Sequence, residues 1–125
     1  MHAFLAFLSY FATAVALLAA FVFLYVRFTP YNEFALIAQN NQAAAITLAG
    51  AALGFTFPLL SSIYFTQGLL EMAKWATVTC VIQLLVFTVM RRQARHIEAG
   101  HTAAAILLAS LSVCVGLINA LCISH

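Results

Sequence analysis

The sequence is poor in charged residues, which excludes an ordinary water-soluble domain. Of its 125 residues 6% are charged and 66% hydrophobic, whereas about a quarter of a soluble domain is charged. A chain this short cannot bury so much apolar surface within one core, so that surface must face lipid. We therefore expect an all-α integral membrane protein in which residues 1–125 form a single domain and the bilayer is the main partner.

Other absences narrow the function. The chain has five Lys and Arg residues, three Glu and no Asp. This small excess of positive charge does not predict a nucleic-acid-binding surface. Glu33, Glu71 and Glu98 lie far apart outside the apolar stretches, which leaves paired-carboxylate catalysis unsupported. No Ser-His-Asp set, phosphate loop or Cys-x-x-Cys is present. We expect no enzyme and no cofactor; His96, Glu98 and His101 are too weak a signal to predict a metal site.

Four charge-poor stretches are long enough to cross a bilayer, which takes about 20 mostly apolar residues in a helix. Barrel strands are a poor alternative, because the Ala- and Leu-rich runs lack the alternation of such strands. The predicted spans are residues 3–26, 43–65, 73–90 and 102–123.

The basic residues predict an orientation. Arg27, Arg91, Arg92 and Arg95 fall in the first and third connections, and Lys74 in the second. The positive-inside rule places the first and third connections in the cytoplasm and both termini in the periplasm. No Lys or Arg precedes the first span, so it is expected to be a retained helix rather than a signal peptide.

The first connection has helical signals of its own. Thr29 is a suitable N-cap, Pro30 suits a first helical position, and Glu33 would meet the helix dipole. These residues predict a short interfacial helix at about 30–39, with a polar loop as the alternative. The third connection is basic and short and is closed by Gly100.

An internal repeat is visible where the second and fourth spans begin. Residues 41–49 match residues 101–109 at six of nine positions, four of them alanine. The match predicts two related helical hairpins, repeat 1 at about 3–65 and repeat 2 at about 73–123. Each unit has two spans, so both have the same orientation in the membrane.

Neutral polar residues inside the spans are the candidates for a functional site. Interhelical hydrogen bonds of such residues contribute roughly 0.6–2 kcal/mol, so they either tie helices together or line a polar path or ligand site. Pro58 should bend the second span and free carbonyls that Thr56, Ser61, Ser62, a neighbouring side chain or water must meet. The candidates for the path are Gln83, Thr79, Thr56, Pro58 and Asn119.

Small residues form faces on the second and fourth spans. Gly50 and Gly54 are four residues apart, as are Ser112 and Gly116. Such faces let helix backbones approach closely. They predict close packing between the repeats or between subunits of a homo-oligomer; a pore lined by glycine is the alternative.

Polar residues also gather where the second and fourth spans begin. The two helix N-termini and nearby arginines could bind an anionic lipid headgroup or phosphate, although ordinary helix capping explains the same residues. The residues concerned are Asn40, Asn41, His101, Thr102, Arg91, Arg92 and Arg95.

The order and spacing of several motifs resemble the DUF350 family of bacterial inner-membrane proteins. The motifs cover nearly the whole chain and lie at residues 29–33, 40–44, 50–55, 58–59, 83–87, 101–104 and 116–120. One departure is His101, where asparagine is expected before Thr-Ala-Ala.

The resemblance implies four spans in two related hairpins and no assigned biochemical activity. Some relatives look to be encoded near phage-shock-protein-A-like membrane-stress proteins, so the resemblance also implies envelope-stress partners. We expect a self-associating membrane-interaction or envelope-stress component of the inner membrane. The alternative is a small oligomeric channel or transporter with a neutral polar path.

Overall fold

A computed structural model of the chain describes residues 2–29, 32–65, 68–89 and 94–123, and these ranges contain helices and no strand. Four of the helices are long and apolar enough to cross a membrane, which confirms the predicted all-α, four-span class. The helices are α1 (His2–Phe28), α2 (Glu33–Ala38), α3 (Gln42–Phe65), α4 (Leu69–Val89), α5 (Ala94–Glu98) and α6 (Thr102–Ile123).

Helix α4 begins earlier than the apolar stretch predicted. It starts at Leu69 and includes Glu71 and Lys74, because a charged side chain near a helix end can reach the aqueous interface. Glu71 lies in the first turn, where its charge also meets the positive end of the helix dipole. Hydropathy alone therefore placed this start four residues too late.

Helix α3 is the centre of the fold. It packs most extensively against α6 and also contacts α1, α2, α4 and α5. Gly50 faces Ala109, and the Ser61 hydroxyl donates to the Ala120 carbonyl at 2.5 Å. The later residue of α3 thus contacts the later residue of α6, so the two helices run parallel.

Helix α1 joins this centre through its C-terminal half. Phe21 and Tyr25 are its buried residues. The Phe21 ring stacks on Phe55 of α3 at 4.5 Å between centroids, and Tyr25 meets Phe87 of α4 edge-on at 5.8 Å. The N-terminal half of α1 is mostly exposed, so it presents an apolar surface outside the packed part of the protein.

The short helix α2 begins later than predicted, and Thr29 is not its N-cap. Asn32 caps the helix, because its side-chain oxygen accepts the Ala35 N–H at 3.2 Å. The Thr29 hydroxyl instead lies within hydrogen-bond distance of the Val26 carbonyl at the end of α1, at 3.0 Å, and of the Glu33 Oε1, at 2.6 Å. Pro30, the predicted first helical residue, lies outside the described residues.

The third connection also contains a short helix, α5, and its end matches the end of α2. Asn40 and Gly100 both have positive φ, 66° and 87°. Their N–H groups donate to the carbonyls of Ile37 and Ile97, each at 2.9 Å. These matching turns are what related hairpins would produce, and the repeat itself stays a prediction.

Candidate functional site

The predicted small-residue faces lie at the contact between α3 and α6. A Cβ added to Gly54 would be 2.9 Å from the Ser112 carbonyl carbon, and one added to Gly116 would be 2.6 Å from the Gly54 Cα. A Cβ on Gly50 would be 2.5 Å from the Ala109 Cα. Backbone packs on backbone at all three glycines, so these residues bring the two predicted repeats together within one chain.

Pro58 is buried inside α3 and has no N–H for the Gly54 carbonyl. The predicted partners of this freed oxygen are Thr56, Ser61, Ser62, a neighbouring side chain or water, and the bonds described for the three hydroxyls go to other carbonyls. Thr56 donates to Ala52, Ser61 to Ala120 and Ser62 to Leu59. The Gly54 oxygen instead packs against Gly116 of α6.

Gln83 belongs to α4, and its side chain is fully buried against α3 and α6. Its Nε2 donates to the Ser112 carbonyl at 3.1 Å and would be 2.6 Å from a Cβ on Gly54. Its Oε1 is buried and has no hydrogen-bond partner within the described residues. Gln83 therefore joins α4 to the glycine contact of α3 and α6.

Two more of the predicted polar residues form a pair of their own. The Asn119 Nδ2 donates to the Thr79 Oγ1 at 3.0 Å, and the Thr79 hydroxyl donates to the Trp75 carbonyl at 2.9 Å. This pair joins α4 to α6. Gln83 and the Thr79–Asn119 pair thus link neighbouring helices. Thr56 bonds within its own helix and lines the space between α3 and α1.

Apolar grooves open on the surface of the described residues. One of them, which we call the α1–α3 groove, has a volume of about 530 Å³. Two others have volumes of about 310 Å³ and 450 Å³. Gln83, Thr79 and Asn119 line none of these three grooves. Half of the residues that line the α1–α3 groove are alanine and aromatic residues of α1, and the α3 side is formed by Thr56, Leu59, Leu60 and Ile63. The alanine and aromatic residues are Ala3, Ala6, Phe7, Tyr10, Phe11 and Ala14.

The predicted headgroup site is occupied in part by contacts within the protein. The Asn41 side chain accepts the Ala44 N–H at 3.1 Å and donates to the Ile97 and Glu98 carbonyls, each at 3.2 Å. His101 contacts His96. Ordinary capping and contact between the connections thus account for Asn41. Of the other residues, Asn40, Thr102 and Arg95 are exposed, whereas Arg91 and Arg92 lie outside the described residues.

Glu33, which the sequence predicts only as a first-turn acid that meets the helix dipole, is a buried carboxyl group. It has 0% exposure, its Oε1 accepts the Thr29 hydroxyl at 2.6 Å, and its Oε2 has no hydrogen-bond partner within the described residues. Burial raises the pKa of Glu33 to about 7, against the opposing effect of the Thr29 hydrogen bond. Thr29 one turn earlier was the one available signal.

Glu33 should make the protein less stable as the pH rises. The unfolded chain loses this proton near the ordinary pKa of 4.5, whereas the folded protein keeps it until about pH 7. The contribution of Glu33 to stability is therefore greatest below the lower of these two values and is lost as the pH rises between them. In chemical unfolding at pH 8, Glu33→Gln should be more stable than the wild type, and at pH 4.5 the two should agree.

The control for this pH effect is Glu98→Gln, because Glu98 is exposed in α5. Glu98→Gln should leave the stability unchanged at both pH 8 and pH 4.5. An equal gain at pH 8 and pH 4.5 for Glu33→Gln would contradict a buried neutral carboxyl group.

The chain is similar to inner-membrane proteins of no assigned activity. A family model described as Domain of Unknown Function (DUF350) matches residues 1–123. The chain is 35% identical over 124 residues to the UPF0719 inner membrane protein YjfL of Escherichia coli (strain K12). The aligned region covers 96% of this chain and 94% of that protein. The protein of the same name from Escherichia coli O157:H7 matches with the same identity and coverage. No solved structure matches the chain.

Proposed function

Since this chain belongs to the DUF350 family and is a multi-pass inner-membrane protein, we propose that it acts without enzymatic chemistry, as a self-associating membrane-interaction protein. The observation that carries the proposal is the contrast between its helices. Helices α3 and α6 pack backbone to backbone, whereas α1 buries Phe21 and Tyr25 and leaves its N-terminal half to the bilayer. A rigid centre thus presents an apolar helix to other molecules.

The bonding of the polar residues supports this proposal over a channel. Gln83 donates to Ser112 and Asn119 to Thr79, so amides that could line a path instead link helices. In lipid such bonds satisfy groups that would otherwise be costly to bury. The channel alternative requires that these side chains turn toward water in an oligomer.

The α1–α3 groove is the surface we propose for self-association. Its alanines let a second helix approach, and its aromatic rings supply contact area. Two copies related by a two-fold axis could each place α1 in the groove of the other, which is a closed arrangement.

Both termini are proposed to be periplasmic, from the placement of Arg27 and Arg95. The family resemblance adds envelope-stress proteins as partners to be tested.

Cross-linking should locate the interface. In a variant with its three cysteines replaced by alanine, Phe7→Cys should give a dimer with a short bismaleimide in lipid vesicles. The matched control is Ile118→Cys, because Phe7 and Ile118 are 59% and 64% exposed and each lies five residues from the end of its helix. The control should remain monomeric at the same ratio of protein to lipid.

Equal cross-linking of both positions would indicate random collision, and no cross-linking of Phe7→Cys would contradict the interface. The same vesicles test the alternative. Ion flux that Gln83→Leu abolishes would favour a polar path over a protein that only associates.

A further inference from the structure

Two histidines meet at the end of α5, and we call them the histidine pair. His96 lies in α5 and His101 directly precedes α6, yet their Nδ1 atoms are 3.2 Å apart. The turn between them explains the approach. Gly100 takes a φ of 87°, and the His101 N–H donates to the His96 carbonyl at 2.8 Å. The backbone therefore reverses and brings both imidazoles to the same place.

The turn is supported from the other half of the molecule. Asn41 donates to the carbonyls of Ile97 and Glu98, each at 3.2 Å. Ile97 is fully buried, so its side chain anchors α5 to the packed part of the protein. The histidine pair is thus built on a backbone that α3 and the core fix in place.

We propose that the histidine pair binds a divalent transition-metal ion through both Nδ1 atoms. Imidazole nitrogen bonds zinc at about 2.0–2.1 Å, so two nitrogens of a tetrahedral site lie about 3.3 Å apart. The observed 3.2 Å agrees with that separation. Zinc, copper and nickel accept imidazole ligands, whereas calcium and magnesium prefer oxygen. The ion is therefore of the first kind.

The rest of the coordination is open. No group of three or more histidine, cysteine or acidic side chains that could hold a metal ion occurs among the described residues, and the two imidazoles are the ligands that we assign to the site. His101 is exposed, which leaves room for water or for a group from another molecule. A site with open positions differs from a structural zinc site, in which all four ligands come from the protein.

Without the ion, the pair is joined by one N–H···N hydrogen bond, since one Nδ1 must donate and the other accept. Metal binding needs both Nδ1 atoms free of hydrogen, so each ring must carry its proton on Nε2 or release it.

Zinc competition tests the site. Purified protein without a histidine tag should withdraw Zn²⁺ from a chromophoric chelator, and His101→Asn and His96→Gln should each weaken binding about tenfold or more. Asparagine is the conservative change at 101, because Asn41 occupies the corresponding position of the other predicted repeat. The control is His2→Gln, since His2 lies at the start of α1.

A second measurement separates binding from folding. Co²⁺ should give a visible absorption spectrum with the wild type and with His2→Gln, and this spectrum should be lost in both pair variants while their helical circular dichroism is unchanged. Equal zinc affinity in all four proteins would overturn the site, as would a loss that His2→Gln shares.

Discussion

Replacing Gly54 with alanine should lower the free energy of unfolding by about 3 kcal/mol, because overpacking a tight contact costs this much when the neighbour cannot move. The added methyl would meet the Ser112 carbonyl group and the Gln83 Nε2, the latter at 2.6 Å. Gln83 can rotate, but the Ser112 oxygen belongs to the backbone of α6. The two helices must therefore separate, and the Gln83 bond to Ser112 is strained as they do.

The matched control is Gly68→Ala. A Cβ at Gly68 has no atom within 4 Å, so this variant should lose less than about 1 kcal/mol, the scale of a changed N-cap. Unfolding by sodium dodecyl sulfate in mixed micelles, followed by the fluorescence of Trp75, measures both variants. Equal losses at positions 54 and 68 would show that the contact between α3 and α6 does not depend on glycine.

Gly116→Ala offers an independent check on the same contact. Its Cβ would reach the Gly54 backbone, so both single variants push the same two helices apart. The double variant should therefore lose less than the sum of the two single losses, as residues in contact do not behave additively.

The spans and the glycine faces could be predicted because both are local patterns. A run of about 20 apolar residues identifies a span without reference to any other part of the chain. A spacing of four residues places Gly50 and Gly54 on one face of a helix in the same way. Neither pattern identifies the residues on the partner helix, so the contacts with Ala109 and Ser112 are known only from the structure.

The features that could not be predicted depend on a choice between two suitable residues or on contacts between separate elements of the fold. Thr29 and Asn32 are both good N-caps, and the choice between them follows from the hydroxyl of Thr29 bonding to Val26 and Glu33. The burial of Glu33 depends on how α2 packs against α3. The meeting of His96 and His101 depends on a reversal at Gly100 that the residue types alone do not specify.

Asn41 is the second residue whose loss should be large, because one side chain serves three hydrogen bonds. Asn41→Ala should lower the free energy of unfolding by about 2 kcal/mol, from a lost helix cap and two lost bonds to carbonyl groups. Asn40→Gly is the control. Asn40 has a φ of 66°, which glycine adopts without strain, so this neighbouring change should be nearly neutral in the same unfolding experiment.

Asn41→Asp separates the two roles of the side chain. Aspartate still accepts the Ala44 N–H and caps α3, but it cannot donate to the Ile97 and Glu98 carbonyls. It should therefore lose about 1 kcal/mol and increase hydrogen exchange at the amides of residues 99–101, which close the α5 turn. If Asn41→Asp matched the wild type in both measurements, the donated bonds would contribute nothing, and α5 would be positioned by the burial of Ile97 alone.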